Sequence, residues 1–138
     1  MLKAKAHCLC GAVKISATEI NPKLTVCHCE SCRLWGGGPY FALRCGTDVT
    51  IEGEENITSY DSSSWASRGF CKNCGTHLFY KLKKTGEYNM SAGLFPELKE
   101  LKMDMQYFSD QRPEYYCFSN DTKHLTRAEI MAYFATQV

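Results

Sequence analysis

The chain has 138 residues, of which 44% are hydrophobic and nine are cysteine, and its 16 Lys and Arg against 15 Asp and Glu give a net charge of +1. This size and apolar content predict a single domain over residues 1–138 with one core. Non-specific binding to nucleic acid needs an excess of positive charge that neutralises the phosphates, and a net charge of +1 is too small for this. We therefore expect no nucleic-acid partner.

The sequence shows neither a membrane span nor a secretion signal. No apolar stretch approaches the roughly 20 residues that cross a bilayer, and residues 1–6 lack the apolar centre of a signal peptide. We therefore expect a cytoplasmic protein with no membrane partner. In that reducing compartment, clustered cysteines bind metal or do redox chemistry more often than they form structural disulfides.

Alternating apolar and polar residues predict half-buried strands in the first half of the chain. Val13 and Ile15 alternate with polar residues after a glycine, and residues 49–52 repeat the same period of two. This period is typical of antiparallel strands that bury one face.

A β-hairpin is predicted near the middle of the chain. Residues 78–82 and 88–90 have strand character, and residues 83–86 form a polar loop between them. We expect the two strands to pair and Gly86 to adopt a positive φ in the loop.

One short helix is predicted near the C-terminus, over about residues 127–134. Thr126 is followed three residues later by Glu129, which is a capping-box pattern. We expect one apolar face to pack the helix onto the sheet. The residues of that face are Ile130, Tyr133 and Phe134.

Seven of the nine cysteines fall into three tight groups with metal-ligand spacing. Zinc binds thiolates at about 2.3 Å in a tetrahedron, and two sulfurs separated by one or two residues in a turn readily reach one ion. In the third group the following Gly75 lets the backbone turn its amides toward sulfur, as in a zinc knuckle. The groups are Cys8-Leu9-Cys10, Cys27-His28-Cys29-Glu30-Ser31-Cys32 and Cys71-Lys72-Asn73-Cys74.

The number of ligands indicates how the groups divide. The knuckle needs two more ligands, either the first group or a pair from the middle one. Closed structural sites use four ligands, so joining the first group to the third leaves the middle three cysteines together. Three protein ligands plus an open position describe a catalytic zinc, and three thiolates favour exchange of a soft sulfur ligand over hydrolysis. An iron–sulfur cluster, or one disulfide and a free thiol, remain alternatives for the middle group.

The remaining cysteines and nearby charged residues are less informative. Cys45 and Cys117 have no close thiol partner in the sequence, and we expect both to be buried as small apolar side chains. His28 lies between two candidate ligands, but in an extended segment its side chain points to the opposite face, so we expect a supporting role. Arg33 either offsets the thiolate charge or lies on the surface, and we expect His124 to be exposed.

Three motifs occur in the order and spacing of a known family. They are Cys8-Leu9-Cys10-Gly11, Cys27-His28-Cys29-Glu30-Ser31-Cys32-Arg33 and Arg68-Gly69-Phe70-Cys71-Lys72-Asn73-Cys74-Gly75-Thr76. With residues 36–39 and 91–94, they resemble the glutathione-dependent formaldehyde-activating enzyme family, which also includes centromere protein V. The resemblance extends from about residue 6 to residue 116 and covers most of the chain.

This resemblance implies a fold, a reaction and a set of site residues. The fold is mainly β, an Mss4-like tent of antiparallel sheets joined by a four-cysteine zinc site. The reaction is the reversible condensation of formaldehyde with glutathione to S-hydroxymethylglutathione, so a carbon–sulfur lyase acting on a small thiol and an aldehyde is implied. The structural zinc ligands would be Cys8, Cys10, Cys71 and Cys74, and the catalytic zinc ligands would be Cys27, Cys29 and Cys32.

Two other classes of function remain open. A non-catalytic zinc module that binds protein or nucleic acid would show a basic face with aromatic residues, and the near-neutral charge counts against it. A thiol redox enzyme of related fold would use Cys45 or Cys117 as the attacking thiol.

Overall fold

The chain forms two β-sheets and two short helices in a computed structural model that describes residues 1–135. The strands are Leu2–His7 (β1), Lys14–Ile20 (β2), Lys23–Cys27 (β3), Tyr40–Gly46 (β4), Val49–Glu52 (β5), Ile57–Asp61 (β6), Ala66–Cys71 (β7), His77–Leu82 (β8), Tyr88–Ser91 (β9), Lys102–Tyr107 (β10) and Lys123–Leu125 (β11). The helices are Glu30–Gly36 (α1) and Arg127–Ala135 (α2). Neither of these helices is long and apolar enough to cross a membrane.

The sheets differ in size and in strand direction. The small sheet has the order β1-β2-β5 and is antiparallel. The large sheet has the order β11-β10-β3-β4-β9-β8-β7-β6, and β10 pairs in parallel with both β3 and β11. The expected antiparallel pairing is found between the other neighbouring strands, and the two parallel pairs at β10 add to it. This strand lies far from β3 in sequence, so no hairpin sets its direction.

One apolar core contains side chains from both sheets. Ile15 and Ile20 of β2, Leu43 of β4, Met90 of β9 and the loop residue Phe95 are each at most 2% exposed. Full burial of such a side chain contributes about 1.5–3 kcal/mol. The alternation predicted around Val13 and over residues 49–52 is confirmed. Val13, just before β2, and Ile15 of β2 are buried in this core, and Val49 and Ile51 of β5 are half-buried and pack against it.

The predicted hairpin is confirmed. β8 pairs antiparallel with β9, and Gly86 in the loop has a φ of +76°. The N–H of Leu82 donates to the carbonyl of Glu87 at 2.9 Å, which closes the loop.

The C-terminal helix begins as predicted, with a reciprocal cap. The N–H of Glu129 donates to Oγ1 of Thr126 at 3.2 Å, and the N–H of Thr126 donates to Oε1 of Glu129 at 3.1 Å. Ile130 is 4% exposed and packs inward, whereas Tyr133 is 61% exposed. The docking face is thus narrower than predicted, because Tyr133 is not buried in it. The side chain of Phe134 lies outside the described part of the chain.

The close approach of β7 to the core predicts a large effect of adding one methyl group. Gly69 pairs with Phe79 of β8, and a Cβ at position 69 would lie 2.3 Å from that ring. The ring is 5% exposed and packs edge-on against Tyr88, so it has little room to move. We expect Gly69→Ala to lower the free energy of unfolding by about 1–3 kcal/mol, measured by urea denaturation.

A double substitution provides the control for this prediction. Phe79→Leu shortens the side chain that Gly69→Ala would strike. In the Phe79→Leu background we expect Gly69→Ala to cost less than in the wild type. An equal cost in both backgrounds would contradict the steric explanation.

Candidate metal centres

The first cysteine cluster joins the two sheets. Cys8 and Cys10 follow β1 of the small sheet, Cys71 ends β7 of the large sheet, and Cys74 lies in the turn before β8. The four sulfur atoms lie within 4.8 Å of one another, with 3.6 Å between Cys8 and Cys10 and 3.8 Å between Cys10 and Cys71. A tetrahedral ion with bonds of about 2.3 Å places its sulfurs about 3.8 Å apart, so this cluster could hold a metal ion.

The turn around Cys74 favours the metal-binding form of that cysteine. Gly75 has a φ of +79°, as expected for a knuckle, and its N–H donates to the carbonyl of Cys71 at 2.7 Å. Oγ1 of Thr76 lies 3.1 Å from Sγ of Cys74, and the hydrogen bond from Thr76 lowers the pKa of Cys74 to about 5. The thiolate is the species that binds metal, so this turn prepares a ligand.

The second cluster lies where β3 meets α1. Cys27 ends β3, Cys29 is the N-cap of α1, and Cys32 lies in its first turn. Sγ of Cys29 accepts a hydrogen bond from the N–H of Cys32 at 3.4 Å, and all three sulfurs lie within 4.8 Å of one another. The sequence does not predict α1, because cysteine is not among the usual N-cap residues.

The three thiols of this cluster strongly influence one another. Hydrogen bonding with Cys29 and Cys32 raises the pKa of Cys27, whereas the hydrogen bond with Cys27 lowers the pKa of Cys29. Three close thiolates repel one another, so a cation is needed for all of them to ionise together. Cys32 is buried while Cys27 and Cys29 are half-buried, so two of the three cysteines are partly accessible.

Arg68 of β7 is the positive side chain that contacts this cluster. Its Nη2 donates to Sγ of Cys32 at 3.5 Å, and its Cζ lies 5.0 Å from the ring centroids of both Trp35 and Tyr80. Burial lowers the pKa of Arg68, but the negative charges of Cys32 and Cys29 outweigh it and leave the pKa raised. Arg68 therefore stays charged beside the thiols.

The other arginine near the cluster has a different partner. Nε of Arg33 donates to the carbonyl of His28 at 2.9 Å, so this side chain holds the backbone of the cysteine loop. The sequence indicates Arg33, and not Arg68, as the arginine that could offset the thiolate charge. The only signal for Arg68 in the sequence is its place in the Arg68-Gly69-Phe70-Cys71 motif. Its contact with Cys32 follows from the sheet topology, which the sequence pattern does not reveal.

His28 is fully buried and supports the loop between two of the cysteines. Its Nε2 lies 2.7 Å from Oε1 of Gln106 and its Nδ1 lies 2.7 Å from the hydroxyl of Tyr116. Burial lowers the pKa of His28, so the ring is neutral; Nε2 then donates to the Gln106 oxygen and Nδ1 accepts from Tyr116. The expected supporting role is confirmed, because hydrogen bonds to Tyr116 and Gln106, which are outside the sulfur cluster, occupy both ring nitrogens.

The two remaining cysteines have opposite environments. Cys45 is fully buried, as predicted, and burial raises the pKa of its thiol to about 12, so it is a poor nucleophile. Cys117 is exposed, and the prediction of burial is wrong there because its segment runs over the surface without regular structure. His124 is exposed as predicted.

A cleft of about 510 Å³ lies beside the four-cysteine cluster. Its lining includes Cys8, Tyr40 and His77, together with parts of the motif segments 36–39 and 91–94. Trp35 stacks on His77 with ring centroids 4.1 Å apart and also contacts Arg68. Trp35 thus connects the wall of the cleft to the three-cysteine cluster, whose own sulfurs do not line the cleft.

Three comparisons relate this chain to known proteins. Residues 3–111 match the family described as glutathione-dependent formaldehyde-activating enzyme. A Schizosaccharomyces pombe protein named an uncharacterized lyase is 38% identical over 132 residues, which is 95% of this chain and 96% of that protein. A crystal structure of a Rhodobacter sphaeroides protein is 26% identical with a TM-score of 0.60, covering 70% of this chain and 91% of that one. The expected mainly-β fold is confirmed.

Proposed function

Since this chain belongs to the glutathione-dependent formaldehyde-activating enzyme family, we propose that it is a zinc-dependent carbon–sulfur lyase that joins or separates a small thiol and an aldehyde. The observation that carries the proposal is a cluster of three sulfurs, one ligand short of a tetrahedral zinc site and with two partly accessible cysteines, in addition to a separate four-sulfur cluster. The lyase name of the Schizosaccharomyces pombe relative supports the reaction class. Glutathione and formaldehyde are the substrates that the family description suggests.

The donor atoms of both clusters fit zinc. Thiolate sulfur is a preferred zinc ligand, and the 3.6 and 3.8 Å sulfur separations in the first cluster agree with a tetrahedron. A zinc ion held by the three-cysteine cluster would supply a Lewis acid with a free coordination position, which would lower the pKa of a thiol bound there. In this proposal, the structural ligands are Cys8, Cys10, Cys71 and Cys74, and the catalytic ligands are Cys27, Cys29 and Cys32.

The residues of the chain set the charge and shape of the reaction site. Three thiolates with a divalent ion carry a formal charge of about −1, and the adjacent Arg68 offsets it. The contacts of His28 with Gln106 and Tyr116 fix the loop that carries the ligands. A substrate thiolate held here lies beside the aldehyde, which converts a bimolecular addition into an oriented one.

The reaction transfers no electrons to or from the protein. The substrate thiol loses its proton to water. The lone pair of the resulting thiolate then forms the carbon–sulfur bond, and the π pair of the carbonyl moves to its oxygen. That oxygen then takes a proton from water to give the hydroxymethyl adduct. In the cleavage direction each of these changes is reversed.

Magnetisation-exchange NMR tests this proposal. Free formaldehyde and its glutathione adduct exchange slowly without catalyst, and we expect the protein to speed both directions on the order of 100-fold, because the site orients both reactants. Serine in place of Cys27, Cys29 or Cys32 should return exchange to the buffer rate. Cys117→Ser, at an exposed position outside both clusters, is the matched control and should keep the wild-type rate. Exchange at the buffer rate for several thiols, with both clusters zinc-loaded, would overturn the proposal.

A further inference from the structure

Arg68 is buried with most of its hydrogen-bonding capacity unused. The residue is 4% exposed, and a guanidinium carries five N–H donors. Nη2 contacts Cys32, but Nε and Nη1 are buried and have no hydrogen-bond partner among residues 1–135. A buried donor without a partner costs about 1–3 kcal/mol, so an acceptor is missing beside this side chain.

The surroundings hold the guanidinium in place without satisfying these donors. Trp35 of α1 and Tyr80 of β8 each lie 5.0 Å from Cζ and bind it through their ring faces. Tyr80 is also the register partner of Arg68 between β8 and β7. The N–H bonds lie in the plane of the guanidinium, so contacts with the ring faces leave them available for an oxygen acceptor.

The position of the guanidinium limits what that acceptor can be. Nη2 lies only 3.5 Å from Sγ of Cys32, so the unused donors are next to the reacting centre. The carboxylates of a peptide thiol are several bonds from its sulfur, and a side chain 4% exposed leaves little room for them. A single oxygen attached to the carbon that bonds to the substrate sulfur meets both conditions.

We propose that Arg68 binds the oxygen of the aldehyde and of the thiol adduct, and stabilises the negative charge on that oxygen as the carbon–sulfur bond forms or breaks. This inference rests on the proposed lyase function. Arg68 keeps its own protons throughout, and the proton that completes the hydroxyl comes from water. Donors placed where charge develops are a major source of catalysis, since losing one costs about 100- to 1,000-fold in rate.

Binding to the wild-type protein provides the first test and needs no variant. S-ethylglutathione has nearly the shape of S-hydroxymethylglutathione but a methyl group in place of the hydroxyl. We expect the zinc-loaded protein to bind the hydroxymethyl compound roughly tenfold or more tightly than S-ethylglutathione, which cannot form the hydrogen bond to the charged guanidinium. Calorimetry with formaldehyde in excess measures the two affinities. Equal affinities would overturn the role of Arg68, whatever the exchange assay shows.

Arg68→Lys separates hydrogen bonding from charge. Lysine keeps the positive charge beside Cys32 but lacks the planar set of donors. We expect two zinc ions per chain and unchanged affinity for glutathione, with exchange reduced to near the buffer rate and the preference for the hydroxymethyl compound lost. Arg44→Lys, at an exposed position of β4, is the matched control and should behave as the wild type.

The outcomes distinguish this inference from the function on which it rests. An Arg68→Lys protein with the wild-type exchange rate and preference would show that Arg68 supplies charge alone, and the inference would be wrong. A wild-type protein that exchanges at the buffer rate but prefers the hydroxymethyl compound, with that preference lost in Arg68→Lys, would overturn the lyase and leave the oxygen-binding role of Arg68 supported.

Discussion

Cys71→Ser is expected to abolish soluble, folded protein. Cys71 is fully buried at the end of β7, and its sulfur lies 3.8 Å from that of Cys10, which follows β1 of the other sheet. A structural zinc contributes on the order of 10 kcal/mol to folding. Because a whole domain is stable by only about 5–15 kcal/mol, loss of one ligand should remove most of it. The soluble fraction and the dispersion of the amide NMR spectrum measure the effect.

Two cysteine substitutions serve as controls for this result. Cys117→Ser changes an exposed thiol outside both clusters and should leave folding unchanged. Cys29→Ser removes a ligand of the three-cysteine cluster, and we expect a folded protein that keeps about one zinc per chain. If Cys71→Ser and Cys29→Ser were equally unfolded, the division into a structural and a catalytic cluster would be wrong.

The parts of the fold that follow from local chemistry can be predicted from the sequence. The paired cysteine spacings identify both clusters, because two ligands in one turn already fix half of a site. The capping box at Thr126 and Glu129 identifies the start of α2, and the loop with Gly86 identifies the β8–β9 hairpin. Each of these signals lies within a few residues of the chain.

Features of the site that depend on tertiary packing cannot be predicted from local sequence patterns. The contact between Arg68 and Cys32 joins residues 36 positions apart, and it forms because the long side chain of Arg68 in β7 reaches Cys32 and Trp35 of α1. The exposure of Cys117 likewise depends on how residues 112–118 cross the surface, which composition does not reveal. Helix α1 is missed because a cysteine serves as its cap.

Strand β7 connects the two clusters structurally. It carries Arg68 at the three-cysteine cluster and ends in Cys71 at the four-cysteine cluster, with Gly69 packed under Phe79 between them. A disturbance of the four-cysteine cluster would therefore displace Arg68 as well. A disturbance of the three-cysteine cluster need not affect the four-cysteine cluster in turn, because α1 and its cysteines can move without separating the two sheets.

Zinc should accordingly leave the protein in two separate phases. Three cysteines would leave the fourth position of a tetrahedral zinc open to exchange, whereas the four cysteines of the other cluster would fill all four positions. We expect a chelator to remove about one zinc per chain first, with the circular dichroism spectrum unchanged. The second zinc should leave only as the protein unfolds, since its ligands join the two sheets.

Glutathione and one variant identify which site releases first. Excess glutathione competes for the open position and should accelerate the first phase while leaving the second unchanged, because only the first site exchanges a sulfur ligand. Cys29→Ser should show the second phase alone. Release of both zinc ions in a single step that coincides with unfolding would mean that both clusters are structural, and would favour a non-catalytic zinc module over the lyase.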